Sequence, residues 1–380
     1  MKNIAILPLI AISLTGCPGS TPSDDAADSG VPETLFDYEG FELPEHFYVA
    51  GTGGMGSPSA ASLDNTPGDN PTTNDGASLG RYLFYDVNLS ANGTIACASC
   101  HKSEFGFSDD RQLSLGFEDG ETGRHSMGLT NARFYAPGMF FWDQRADSLE
   151  EQVLMPFQDE VEMGMTLDTL VAAVQAQDHY AGRFADAFGT EEVTSDRISK
   201  ALAQFIRSMV SFGSKYDEGR AQVASQIVDF PLFTRKENLG KQIFMNTPMG
   251  PNGAGCAVCH QGETFSAPGA RNNGLDINAE RDPGYGGVTE RAADMATFKV
   301  PSLRNVAVRG SFMHDGRFST LRQVVDHYGD TVLPNPNLGM PLNRHAGNLS
   351  PEHREALVAF LETLTDEAML NDPKFSNPYE

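Results

Sequence analysis

The sequence predicts a mainly α-helical chain of two similar modules in tandem, with few or no strands. Three observations carry that expectation. Two stretches far apart share one residue pattern, "LGRYLFYD" leading to "CASCH" and "LGKQIFMN" leading to "CAVCH". Apolar side chains recur at helical spacing in several long segments, and alternating apolar–polar runs, the mark of a half-buried strand, are scarce. A length of 380 residues is enough for two domains, each with its own core. The formal net charge of −24 argues against a nucleic-acid partner, which needs a basic footprint. It suits a self-repelling surface and would steer a basic protein partner toward it.

The N-terminus carries Lys2 and an apolar run too short to span a bilayer, closing in Leu14-Thr15-Gly16-Cys17. This ending resembles a bacterial lipobox, in which the cysteine thiol receives a diacylglycerol and cleavage falls before it. The expectation is a lipoprotein signal peptide over 1–16 with lipid on Cys17. An ordinary secretory signal that happens to contain a cysteine is the rival reading. The small, acidic residues behind Cys17 have nothing to bury, so 17–45 are expected to form a flexible tether. No later run reaches membrane length, and the body is expected in the periplasm, held to the membrane by its lipid alone.

The first module is expected over 46–230 and the second over 231–380. In each, Leu-Gly-basic-x-aliphatic-Phe begins an opening helix, and Thr234 with Glu237 forms a capping box for the second. "TLDTLVAAVQAQDHYAGRFADAFG" reads as another helix or pair. "TSDRISKALAQFIRSMVSFGSKYD" is the first closing helix, with Ile198, Leu202, Phe205, Ile206 and Met209 inward. "LSPEHREALVAFLETLTD" is the second, capped by Ser350, started by Pro351 and buried through Leu357, Phe360, Leu361 and Leu364.

Cys97-Ala98-Ser99-Cys100-His101 and Cys256-Ala257-Val258-Cys259-His260 both match the attachment signature of c-type haem. Two thiols at that spacing add to the vinyl groups along one porphyrin edge, and the turn offers the next imidazole to the iron. Cys97, Cys100, Cys256 and Cys259 are therefore candidate anchors of two haem c groups, with His101 and His260 as proximal ligands. A four-cysteine zinc site and structural disulfides are the alternatives. The histidine behind each pair favours haem. Helix, C-x-x-C-H turn, loops and closing helix together describe a cytochrome c-like haem domain, here twice in tandem.

Those modules, with "FFWDQRADSLEEQVLMPFQDEVEM" and "KVPSLRNVAVRGSFMHDGRFSTL", resemble the bacterial di-haem cytochrome c peroxidases and their MauG-type relatives over roughly residues 70 to 366. The resemblance implies a peroxide-reacting N-terminal haem and an electron-handling C-terminal haem. It makes Trp142 the tryptophan between them, and Gln152 and Glu162, flanking Pro156, the distal groups of the first haem. A carboxylate beside an open iron can move a proton between peroxide oxygens, and an amide can orient the peroxide. Taken alone, Trp142 would read as a core aromatic and Glu162 as a solvated helix charge.

Two positions depart from the peroxidase pattern. Where many members carry a histidine capping the first iron, this chain has Phe117, which cannot ligate; His125 lies further on. The first haem is therefore expected open without reductive activation, as in the MauG-type proteins. The distal ligand of the second haem, a methionine in the peroxidases, falls on Tyr328, where MauG-type proteins also have tyrosine. A phenolate favours ferric iron, a thioether ferrous. Met340 is a rival ligand, His314 is expected to line the pocket of the second haem, and His327 should point elsewhere. The family also binds calcium between the haems through an asparagine and backbone carbonyls. Those positions fall on His125, Arg309 and Ser311; backbone oxygens survive substitution and keep one inter-haem calcium a candidate cofactor, while a neutral imidazole is a poor ligand for a hard cation.

The functional expectation is a peroxidase that reduces hydrogen peroxide with electrons from a small cytochrome c or cupredoxin. One alternative is a MauG-like oxidase, whose haems store oxidising equivalents and draw electrons from residues of a partner protein. A second is a lipid-anchored electron carrier with no turnover. The resemblance also makes a homodimer a candidate state.

Overall fold

The first opening helix, Asn74–Tyr85, begins where the Thr73 hydroxyl accepts the Gly76 N–H at 3.1 Å. The second, Arg235–Met245, begins with the reciprocal box expected of Thr234 and Glu237, at 3.2 and 2.6 Å. The closing helices, Ser195–Ser208 and Pro351–Glu362, are capped by Thr194 and Ser350. Every inward residue expected of them is buried, from Ile198 through Met209 and from Leu357 through Leu364. The first closing helix ends sooner than its apolar pattern. Met209 leaves helical geometry at ψ 68°, and a Ser214–Asp217 capping box starts a separate helix, Lys215–Arg220. The expected helix or pair is a pair, Leu167–Gln175 and His179–Phe188.

This computed structural model describes Met1 and residues 36–50, 58–246, 253–340, 342 and 349–380. The lipobox, Cys17 and most of the expected tether lie outside the described residues. Ordered packing begins inside 17–45, because Tyr38 is only 1% exposed and stacks edge-on against Phe205 and Phe375. Among the described residues, strand is limited to Ala270–Arg271 paired antiparallel with Phe298–Lys299, and no helix is long and apolar enough to cross a membrane.

Each opening helix crosses its closing helix at a glycine, and among the described residues these are the two most extensive helix–helix contacts. A Cβ on Gly80 would stand 2.0 Å from the Ala201 carbonyl oxygen, and one on Gly240 1.9 Å from that of Ala356. The repeated Leu-Gly-basic element thus has a steric cause: only glycine lets the two backbones meet.

Two apolar cores form around the crossings. One gathers Tyr38, Leu83, Phe84, Phe205 and their neighbours, with Met369 and Phe375 returning from the C-terminus. The other gathers Phe244, Phe265, Phe360 and their neighbours, and takes Tyr216 and Phe230 from before residue 231. A buried ion network explains that reach. Arg304, fully buried, holds Asp217 through two hydrogen bonds at 2.5 and 2.9 Å, and Asp217 also meets His46 at 3.0 Å. Arg220 and Tyr216 bind the Glu263 carboxylate at 2.9 and 2.8 Å. The Lys215–Arg220 helix is therefore fixed to the loop behind His260.

Gly80→Ala and Gly240→Ala should each lower stability by about 1–3 kcal/mol through overpacking, measured by urea unfolding. Gly182→Ala, in a helix where its Cβ would meet nothing within 4 Å, should be neutral or stabilising by up to ~1 kcal/mol.

Candidate active site

The two C-x-x-C-H histidines are held in the same way. His101 Nδ1 lies 3.0 Å from the Phe107 carbonyl oxygen, and His260 Nδ1 lies 3.1 Å from that of Phe265. An Nδ1–H donated to a carbonyl leaves Nε2 bare, the tautomer a metal requires. Both phenylalanines sit in left-handed backbone, φ 57° and 51°, a conformation uncommon outside glycine. Each loop closes with the same isolated bridge, Lys102 to Ser108 and Gln261 to Ser266. Burial lowers both imidazole pKa values, that of His260 to about 4.

His101 opens on a cavity of about 450 Å³ and His260 on one of about 580 Å³. Cys97 and Cys100 line the first, Cys256 and Cys259 the second, and none of the four is in a disulfide. Burial pushes the Cys97 and Cys256 thiols up to about 12. Among the described residues no three His, Cys, Asp or Glu side chains converge on one point, so the two pairs do not assemble a zinc site. Free thiols and a bare imidazole nitrogen around a large cavity fit a covalently attached haem in each half.

Trp142, Gln152, Pro156 and Glu162 all line the first cavity. Gln152 ends the short helix Leu149–Gln152, capped by Ser148. Glu162 follows a turn in which the Asp159 carboxylate accepts the N–H groups of Val161 and Glu162 at 2.8 and 3.1 Å. Burial, then the Asp159 charge, pushes Glu162 up to about 7, with Arg145 opposing. Phe117 packs beside Gly164, whose Cβ would stand 2.5 Å from its ring. His125 also lines this cavity, but its Nε2 meets Ser108 Oγ and its Nδ1 the Gln112 carbonyl, each at 3.1 Å.

Tyr328 and His314 line the second cavity. The Leu321–Asp326 helix widens into a π-helical turn over His327–Thr331 that carries the tyrosine. Burial pushes its phenol up to about 12, with an Asn273 hydrogen bond opposing. His327 has both ring nitrogens engaged, with Thr331 and the Asn273 carbonyl, each at 3.1 Å. His314 stacks on Phe298 at 3.7 Å between centroids, and its Nε2 lies 3.8 Å from Asp282. Met340 is 54% exposed in a surface segment and is not among the residues lining the cavity.

Trp142, His125, Met127, Gly128 and Lys299 line both cavities. The indole N–H donates to the His125 carbonyl at 2.8 Å, and the Lys299 backbone N–H donates to the Trp142 carbonyl at 2.8 Å. Sequence reasoning missed Lys299 and the side chain of Arg309. The one available signal was a lysine inside the apolar run "FKVPSL".

A family model described as di-haem cytochrome c peroxidase matches residues 74–224 and 234–365. The chain is 34% identical over 307 residues to the methylamine utilization protein MauG of Methylorubrum extorquens, covering 79% of this chain and 81% of that protein. It is 32% identical over 326 residues to the cytochrome c551 peroxidase of Nitrosomonas europaea, covering 82% and 89%. The crystal structure of a MauG-like protein associated with microbial copper homeostasis matches with a TM-score of 0.74 at 30% identity, over 90% of this chain and 99% of the other. The diheme peroxidase BthA from Burkholderia thailandensis matches with a TM-score of 0.64 at 25% identity, over 81% and 91%.

The Glu162 carboxyl should titrate near pH 7. A protonated-carboxyl infrared band should vanish through that pH and be missing from Glu162→Gln. Because the folded state holds this proton more tightly than the unfolded chain, stability falls as pH rises from about 4.5 to about 7. Glu162→Gln should flatten that fall in urea titrations.

Proposed function

The chain belongs to the di-haem cytochrome c peroxidase family, and we propose that its two cytochrome c-like modules reduce hydrogen peroxide at the first cavity with electrons relayed through the second. The observation that carries this reading is a half-buried carboxylate, Glu162, in the same cavity as His101, its pKa raised by that burial. An electron carrier has no use for an acid–base group there. When bound, the haem at His101 supplies an open coordination position for peroxide and the haem at His260 a source of electrons.

The chain's own residues do the rest. Glu162 would take a proton from one oxygen of hydrogen peroxide and give it to the other, the electrons for cleaving the O–O bond coming from the reduced donor. A pKa near neutrality suits a group that must both take and give that proton. Gln152 donates its amide N–H to orient the peroxide. Phe107 fixes the His101 ring through its carbonyl. Trp142, held by the His125 carbonyl and bordering both cavities, is the relay between them. Two electrons and two protons convert hydrogen peroxide to two waters, the electrons arriving from a small cytochrome c or cupredoxin. On this reading the protein works in the periplasm, tethered by lipid on Cys17, and the homodimer is its candidate assembly.

Tyr328 supports a second reading. As a ligand of the second iron it would lower the potential and favour higher oxidation states. The chain would then act as a MauG-like oxidase on residues of a partner protein, in keeping with its likeness to MauG and to the copper-associated MauG-like protein.

Steady-state consumption of hydrogen peroxide with a reduced small cytochrome c tests the first reading directly. Glu162→Gln should lower kcat/KM by about 10²–10⁴-fold; unchanged turnover would contradict its role. Wild-type protein that consumes no peroxide with this donor but oxidises a partner protein would favour the second reading. Tyr328→Met should raise the midpoint potential of the second haem, and an unmoved potential would remove Tyr328 from its coordination sphere.

A further inference from the structure

Two positive charges sit in and beside the wall between the cavities. Lys299 borders both of them and is buried, with its ammonium 3.9 Å above the Tyr135 ring. Arg309 lines the second cavity, and its Nη2 donates to the Ser302 and Arg304 carbonyls at 2.9 and 3.0 Å. Its guanidinium lies over Gly128, whose Cβ would stand 3.0–3.1 Å from Nη2, Cζ and Nε, and its Nε is buried without a partner. Gly128 itself borders both cavities. Burial lowers the pKa of both groups, the Arg309 charge adds to the lowering at Lys299, and among the described residues neither side chain is ion-paired with a carboxylate. A protein that buries neighbouring cations without a carboxylate pays a large desolvation cost unless an anion joins them.

The position that the resemblance assigns to calcium lies in this same wall, and the residues do not fit that ion. His125 stands where the family has an asparagine, and both of its ring nitrogens are already hydrogen-bonded. Arg309, one of the two carbonyl positions, brings a guanidinium with it. A divalent cation could still meet the backbone carbonyls of Arg309 and Ser311, but it would face the Arg309 guanidinium and the Lys299 amine and gain only a neutral imidazole where the family offers a side-chain oxygen, a poor exchange for a hard ion.

We infer that Lys299 and Arg309 take the place of the inter-haem cation and seat haem propionate carboxylates. The inference rests on the di-haem reading. Haem c brings two carboxylates on its own periphery, so each cavity would receive the anion its wall lacks. Bidentate guanidinium–carboxylate pairing and a compact ammonium suit that role. The charges would also act on the irons: a nearby fixed cation favours the ferrous state, so the wall sets potentials that a bound metal ion would otherwise set.

The holoprotein, loaded with calcium and then gel-filtered, should carry well under one calcium per chain by elemental analysis. A chelator such as EGTA should leave its optical and EPR spectra and its Tm unchanged. Lys299→Met and Arg309→Leu should each lower a haem midpoint potential in redox titration, while Lys299→Arg and Arg309→Lys should stay near wild type. Stoichiometric calcium whose removal changes the spectra would overturn the inference, as would potentials that do not move in the charge-removing variants. A pyridine haemochromogen assay separates the two layers: fewer than two haems per chain would sink the di-haem reading and this inference with it. Two haems with either contrary result would sink only the inference.

Discussion

The close approach of two helix backbones at a glycine is the constraint on which both halves depend. At Gly80 and at Gly240 the opening helix meets the closing helix with no room for a methyl group. That contact brings the phenylalanine of each opening helix, Phe84 and Phe244, against the phenylalanine of its closing helix, Phe205 and Phe360, with ring centroids 5.4 and 5.2 Å apart. The C-x-x-C-H turn comes after each opening helix in the chain, and its histidine is fixed by the carbonyl of a left-handed phenylalanine. One local scheme, used twice, produces two cavities with the same floor.

What separates the halves is what stands on the other side of each cavity. The first receives Gln152 and Glu162 from two short turns, and burial holds the Glu162 carboxyl near neutrality. Its one additional imidazole, His125, has both nitrogens engaged. The second receives a half-buried phenol, Tyr328, from a π-helical turn, with His327 turned away by its own hydrogen bonds. An acid–base group in one cavity and an oxygen donor in the other suit a division between peroxide chemistry and electron storage. Trp142 borders both cavities.

Much of this could be read from residue spacing because the features are local. The Thr234–Glu237 box, the Ser350-Pro351 start and the apolar stripes of the closing helices depend on side chains a turn apart, and the folded chain keeps them. Features set by distant contacts could not be read this way. Nothing near Tyr38 announces that Phe205 and Phe375 will bury it, and nothing near Tyr216 announces Glu263. The left-handed conformations of Phe107 and Phe265 carry no glycine to mark them. Trp142 and Glu162 were singled out by resemblance, since a lone tryptophan or glutamate has no local pattern. Lys299 and Arg309 gain their meaning only when the two cavities share a wall.

The account's central claim is that two similar modules hold differently completed irons. EPR with magnetic circular dichroism on the ferric holoprotein reports both axial ligand sets at once. The account predicts one high-spin haem with His101 as its only protein ligand and one low-spin haem ligated by His260 and Tyr328. Two low-spin haems, the first with a second histidine or the second with methionine, would contradict it.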